Sequence, residues 1–269
     1  MQTRDAASRH NNPEDDKMVS FSLEDKVALI TGASRGIGEA IALTLADYGA
    51  TCILVSRKIE PLEEVRKKIV DKGGKAYAIA CNMGYLDQIK QLFETVRSTY
   101  GRLDILVNNA ATNPYFGEML EAPEWAMDKT FEVNLKGPFY MTQYAAKLMA
   151  DKGGGCVVNV ASINGVRPAP FQGIYSMTKA AMISMTRAYA KELAGKNIRV
   201  NALLPGLTET KFSEAIVENE EVRNFAFSQI PMGRIATPDE MAGAILYLVS
   251  DAASFTTGTT ITCDGGALA

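Results

Sequence analysis

Short, mostly apolar runs alternate along this chain with longer stretches in which apolar residues recur every three to four positions. The runs are Lys26–Thr31, Thr51–Val55, Ala76–Ala80, Leu103–Val107, Cys156–Ala161, Ile198–Leu204 and Gly258–Cys263. All seven predict strands, and the first, with V-A-L-I at its centre, predicts one buried on both faces. The stretches between them predict helices. Ile37, Ile41, Leu45 and Tyr48 follow the first run at near-helical spacing, and a second helix starts at Pro61 and reaches about Asp71. A third spans roughly Asp87 to Tyr100 and buries Ile89, Leu92, Phe93 and Val96. A long helical pattern covers Glu124 to Met149 with an interruption at Gly137-Pro138, and another runs from Tyr175 to about Ala194. The last begins at Thr237-Pro238-Asp239-Glu240, a capping box with proline in its first turn. Strands alternating with helices predict right-handed βαβ units around a parallel sheet. The expected fold is α/β: one doubly wound domain over residues 18–269, its seven-stranded parallel sheet covered by helices on both faces.

Two segments depart from this rhythm. Residues 1–17 are polar, carry Pro13 and lack the apolar core of a signal peptide. They read as a disordered tail or an artificial leader, with Met18 as the native start. Leu207 to Ile230 mixes charges with Phe212, Phe225 and Phe227, the pattern of a mobile lid or substrate loop.

Composition narrows the function by exclusion. Hydrophobic residues make up 47% of the 269, enough for a sizeable core. A net charge of -3 gives no electrostatic case for nucleic acid or an acidic membrane. No apolar run approaches the roughly 20 residues that span a bilayer. Cys52, Cys81, Cys156 and Cys263 are scattered with no C-x-x-C, the usage of reduced thiols in a cytoplasm. The only histidine is His10, in the polar leader. General-base histidine, a Ser-His-Asp triad and a mixed His/Cys metal site are thereby excluded from the body, and no metal is expected.

Acid–base work must then fall to Tyr, Lys, Asp or Glu, and Y-S-M-T-K offers it. Tyr175 and Lys179 sit at i and i+4, on one face of a helix. An ammonium beside a phenol stabilises the phenolate and lowers its pKa from about 10 toward neutrality. Alone, such a pair is an ordinary surface feature, so its company matters. The first predicted strand runs into T-G-A-S-R-G-I-G, Thr31 to Gly38, and then a helix. Strand, glycine turn and helix present backbone N–H groups to a pyrophosphate. The second strand ends in Ser56-Arg57-Lys58 without a carboxylate. A guanidinium there suits the 2′-phosphate of NADP, and Arg35 can clamp the same group. The fourth strand leads into N-N-A-A, Asn108 to Ala111. Asn134 precedes the helix break, Ser162 follows the fifth strand, and Pro205-Gly206 ends the sixth. Those strand ends are where open α/β sheets bind ligands.

In this order the motifs resemble the short-chain dehydrogenase/reductase family, of the classical type with a Rossmann-like fold, from Leu23 to Gly266. The resemblance implies that Tyr175 is the acid/base and that Lys179 lowers its pKa and holds the nicotinamide ribose. It further implies that Ser162 bonds the substrate oxygen and Asn134 anchors a proton-relay water. Cofactor contacts implied by the same match come from Gly32, Ser34, Arg35, Gly36, Ile37, Gly38, Ser56, Arg57, Asn82, Met83, Asn109, Ala110, Tyr175, Lys179, Pro205, Gly206, Thr208 and Thr210. The family usually carries Asp at the position of Asn82, where it contacts adenine; an amide oxygen can accept the same hydrogen bond.

Within the family, N-A-A-T-N-P-Y-F-G, C-N-M-G and P-G-L-T-E-T-K-F-S resemble an NADP(H)-dependent carbonyl reductase/retinol dehydrogenase branch. That branch is often peroxisomal, but this chain ends A-L-A without an S-K-L-type signal, so that compartment is not carried over, and the cysteine usage leaves a cytoplasmic location as the expectation. The expected activity is hydride transfer between NADP(H) and a small-molecule ketone, aldehyde or secondary alcohol. The alternatives are a 3-oxoacyl-thioester reductase, which shares every motif, and a non-enzymatic NADP-sensing scaffold. Family resemblance, with the apolar helices over Phe131–Met149 and Tyr175–Ala194, implies a homotetramer.

Overall fold

A computed structural model of the protein describes residues 19–211, 223–224 and 227–269. The leader, Met18, Phe212 and Phe225 lie outside the described residues. Seven strands form one sheet: β1 Val27–Thr31, β2 Thr51–Ser56, β3 Lys75–Ala80, β4 Ile105–Asn108, β5 Gly155–Val160, β6 Ile198–Pro205 and β7 Thr260–Cys263. Their order is β3-β2-β1-β4-β5-β6-β7, and every neighbouring pair is parallel. The described helices are α1 Gly36–Asp47, α2 Glu60–Asp71, α3 Leu86–Tyr100, α4 Glu124–Phe131, α5 Gly137–Ala150, α6 Gly173–Leu193 and α7 Pro238–Val249.

Strand side chains alternate between two cores. Ala28 and Ile30 of β1 join the core beneath α1, α2 and α7. Leu29 between them joins the core beneath α3, α5 and the end of α6. Burial from both sides is why β1 reads as a continuous apolar run rather than as an alternating one. The capping box of α7 is present, with the Thr237 N–H donating to the Glu240 carboxylate at 2.8 Å. Strand ends shift by one or two residues from the sequence reading. β4, for example, begins at Ile105, and the Asp104 carboxylate just ahead of it accepts the Val27 N–H at 2.8 Å.

The long helical pattern resolves differently from its prediction. The interruption is a π-helical segment, Glu132–Lys136, immediately ahead of Gly137-Pro138. Gly137 donates its N–H to the Glu132 carbonyl five residues back. Pro138 has no N–H to give the Asn134 carbonyl, so the i→i−4 ladder fails there and a wider turn replaces it. Asn134 sits inside that turn and is fully buried.

Candidate active site

The strand order reverses at β1, whose neighbours β2 and β4 lead the chain in opposite directions. A crevice must open at such a point, beyond the strand C-termini. The ends of β1 and β4 are fastened together there. Thr31 Oγ1 donates to the Val107 carbonyl at 3.3 Å and accepts the N–H groups of Asn109 and Ala110 at 2.9 and 3.0 Å. Asn109 returns its side-chain amide to the Thr31 carbonyl at 2.9 Å. Deeper down, Asn108, Asn159 and Thr186 form a buried hydrogen-bonded chain linking β4, β5 and α6.

A cavity of about 680 Å³ occupies the crevice. Every residue named above for cofactor contact lines it, from the glycine turn through Arg57, Asn82 and Ala110 to Thr208 and Thr210. Gly32 has φ +67°, a conformation that side chains rarely adopt, and turns the chain sharply out of β1. A Cβ on Gly38 would stand 2.2 Å from the Gly32 carbonyl oxygen, so the first turn of α1 closes on the loop only without a side chain. These bare N–H groups at a helix N-terminus are a fit for a dinucleotide's pyrophosphate. Arg35 and Arg57 line the cavity, and no carboxylate does so among the described residues. The loop after β6 is held by Glu209 N–H to the Ala236 carbonyl at 2.8 Å and Ala236 N–H to the Leu207 carbonyl at 3.0 Å.

At the other end stand Ser162, Tyr175 and Lys179. Ser162 Oγ accepts the Asn164 N–H at 3.1 Å and hydrogen-bonds the Tyr175 phenol. Lys179 is 1% exposed; its Nζ donates to the Val160 carbonyl at 2.7 Å and lies 5.4 Å from the Tyr175 ring centroid. Burial pushes the phenol up to about 12, opposed by the Ser162 hydrogen bond, and pushes Lys179 down to about 7. The sequence expectation of a phenol lowered by its lysine is therefore corrected. Both groups have lost water, and the ammonium faces the ring and a carbonyl, so desolvation outweighs the attraction.

Two more of these residues are engaged within the protein. Asn134 does not line the cavity. Its amide oxygen accepts the Thr112 N–H at 2.8 Å, and its amide nitrogen donates to the Thr112 carbonyl at 2.8 Å and to Thr178 Oγ1 at 3.3 Å. The side chain is thus a clasp between the loop after β4 and α6, with its polar atoms already engaged. Asn82 lines the cavity, and its Oδ1 accepts the Gly84 N–H at 3.0 Å while keeping a second lone pair. Sequence reasoning also passed over Thr31, Thr112, Lys129, Arg167 and Gln172. Only Thr31, beside the glycine turn, carried a local signal.

The family model described as "Enoyl-(Acyl carrier protein) reductase" matches residues 32–267. A 3-oxoacyl-[acyl-carrier-protein] reductase of Thermotoga maritima is 43% identical over 245 residues, 91% of this chain and 98% of that one. The chain belongs to the short-chain dehydrogenase/reductase family. It is an NAD(P)-dependent oxidoreductase. The "Dehydrogenase/reductase SDR family member 4" of Oryctolagus cuniculus is 37% identical, over 91% of this chain and 94% of its own length. Among solved structures, a 3-oxoacyl (acyl-carrier-protein) reductase from Agrobacterium tumefaciens with NADP bound superposes with a TM-score of 0.86. It is 34% identical and covers 91% of this chain and 95% of its own. Among the described residues no helix is long and apolar enough to cross a membrane, and no cluster of His, Cys, Asp and Glu could hold a metal ion.

Proposed function

We propose that this enzyme transfers hydride between NADP(H) and a ketone or aldehyde, and runs in reverse on a secondary alcohol. One observation carries the reading: a buried phenol, bonded to Ser162, closes one end of a cavity whose other end is the glycine turn and Arg57. The glycine turn and α1 hold the pyrophosphate, Arg35, Ser56 and Arg57 hold the 2′-phosphate, and Met83 with Asn82 borders adenine. Asn109, Ala110, Pro205, Gly206, Thr208 and Thr210 border the nicotinamide half. Bound NADPH supplies the hydride. Ser162 aligns the carbonyl oxygen and Tyr175 protonates it. A phenol pushed to about 12 stays protonated at neutral pH, which suits it as the acid of reduction and makes it a poor base for oxidation. Lys179 holds the ribose, and Asn134 positions Thr112 against the helix that bears both groups.

Tyr175→Phe keeps the ring and deletes the proton. Turnover should fall by about 10²–10⁴-fold with NADPH binding retained. A folded variant reducing a good ketone at the parental rate would remove the basis of this reading. The relative of Thermotoga maritima favours a second one, a 3-oxoacyl-thioester reductase using the same residues. Rates on acyl thioesters against free ketones discriminate the two. The complete Ser162, Tyr175 and Lys179 set argues against a sensing scaffold.

A homo-oligomer, a tetramer by resemblance, is part of this proposal. An apolar groove between α4–α5 and α6, lined by Phe131, Leu135, Phe139, Ala181, Met185 and Ala188, supports it. Light scattering should then exceed the 29.1 kDa of one chain. A cytoplasmic location suits four cysteines that are all free thiols.

A further inference from the structure

The charges on the cavity wall are one-sided. Among its described lining residues are Arg35, Arg57, Lys129, Arg167 and Lys179, and no aspartate or glutamate. Four of these cations have an evident assignment. Arg35 and Arg57 follow β1 and β2, at the phosphate end. Lys129 lies 5.5 Å from the centroid of the Tyr85 ring, beside the Asn82–Gly84 turn that follows β3, so it too belongs to the nucleotide end. Lys179 is bonded to Val160.

Arg167 is left over. It stands on the loop between β5 and α6, five residues past Ser162, on the half of the sheet away from the nucleotide. One of its N–H groups reaches the Ala267 carbonyl at 2.8 Å, and no carboxylate among the described residues pairs with it. The wall around it is uncharged, made of Ile163, Pro168, Pro170, Gln172, Ile230 and Ala267. Arg167 is exposed, and with no described carboxylate on the wall the cavity's field favours an anion. The guanidinium fork matches a carboxylate with two parallel hydrogen bonds.

We infer that the substrate is an oxo acid: Arg167 receives its carboxylate while Ser162 and Tyr175 hold its carbonyl, and the apolar wall takes the carbon skeleton between them. This rests on the carbonyl-reductase reading above and adds the substrate class to it.

The test uses the full-length enzyme with NADPH and a series of oxo acids with graded carbonyl-to-carboxylate spacing. Each acid is paired with its methyl ester, and a phosphorylated hydroxyketone forms a separate arm. The readout is the ratio of kcat/KM for acid to that for ester. The parent should favour the acid about tenfold at its best spacing, as one partly exposed charge-assisted contact implies. The ratio should fall toward one in Arg167→Gln, recover partly in Arg167→Lys, and shrink as salt is added. If Arg167 serves only to hold Ala267, acid and ester rates drop together and the ratio stays put. An unchanged ratio of that kind, or a parental ratio near one, overturns the inference while leaving the carbonyl reductase standing. Preference for the phosphate alone overturns the carboxylate assignment. Reduction of no carbonyl compound at all brings down the underlying reading, and the inference with it.

Discussion

The two ends of the cavity are built from different material. At the nucleotide end the wall is largely main chain: a glycine turn, the first turn of α1, and N–H groups fastened by Thr31. At the substrate end it is side chains on connecting segments, Ser162 to Gln172 ahead of α6 and Leu207, Gln229 and Ile230 after β6, which only the fold brings together. Main-chain recognition requires particular dihedral angles and the absence of side chains, so it is written as a short local motif. Side-chain recognition depends on which loops meet, and no local spacing records that.

The sharpest way to break this comparison is Gly38→Ala. The added methyl would fall 2.2 Å from the Gly32 carbonyl, closer than real contacts allow, so the turn must open. We expect a cost of about 1–3 kcal/mol in stability from overpacking. NADPH affinity should fall about a hundredfold, from loss of preorganised N–H donors. Thermal melts and fluorescence titration measure the two. Parental affinity in this variant would mean that the nucleotide end does not depend on its backbone geometry.

A smaller effect is expected where the nucleotide end does use a side chain. Arg57→Asp should weaken NADPH binding about tenfold, the lower end for a charge-assisted hydrogen bond because Arg57 is exposed, and NADH binding much less. Equal losses for the two cofactors would show that Arg57 does not read the 2′-phosphate.

The smallest effect separates function from stability at the catalytic end. Lys179 titrates at about 7 in the folded protein against 10.5 for a free lysine. Between these values the unfolded chain binds the extra proton, so this lysine's contribution to stability rises with pH across that window. The slope is at most about 1.4 kcal/mol per pH unit. Below pH 7 the full penalty of burying the charge is present. Lys179→Met should therefore gain most, relative to the parent, in acid and least above pH 10, while losing turnover. Denaturant melts at pH 6 and 10 check this; a stability difference independent of pH would mean that the ammonium is not desolvated as described.

Much of the fold and site was legible because its signals were local. Seven short, mostly apolar runs marked seven strands, most plainly in the centre of the sheet, where V-A-L-I of β1 is buried on both faces. The spacing of Gly32, Gly36 and Gly38, the Tyr175–Lys179 pair and the basic end of β2 each marked a point on what proved to be one cavity wall. Gly137-Pro138 announced a break in the long helix but not its form, because a π turn depends on which donors can reach Glu132 and Asn134.

The amino-acid sequence by itself therefore determined the order of elements, the family and the chemical groups available, including the absence of histidine from the body. Tertiary structure alone decided how those groups behave. Asn134 became a clasp on Thr112 and Thr178, from segments 22 and 44 residues away. Tyr175 was pushed up rather than down, because burial is a sum over neighbours from the whole chain, and a four-residue spacing cannot express it. Arg167 acquired its place for the same reason: only folding sets its guanidinium on a cavity wall that carries no described carboxylate.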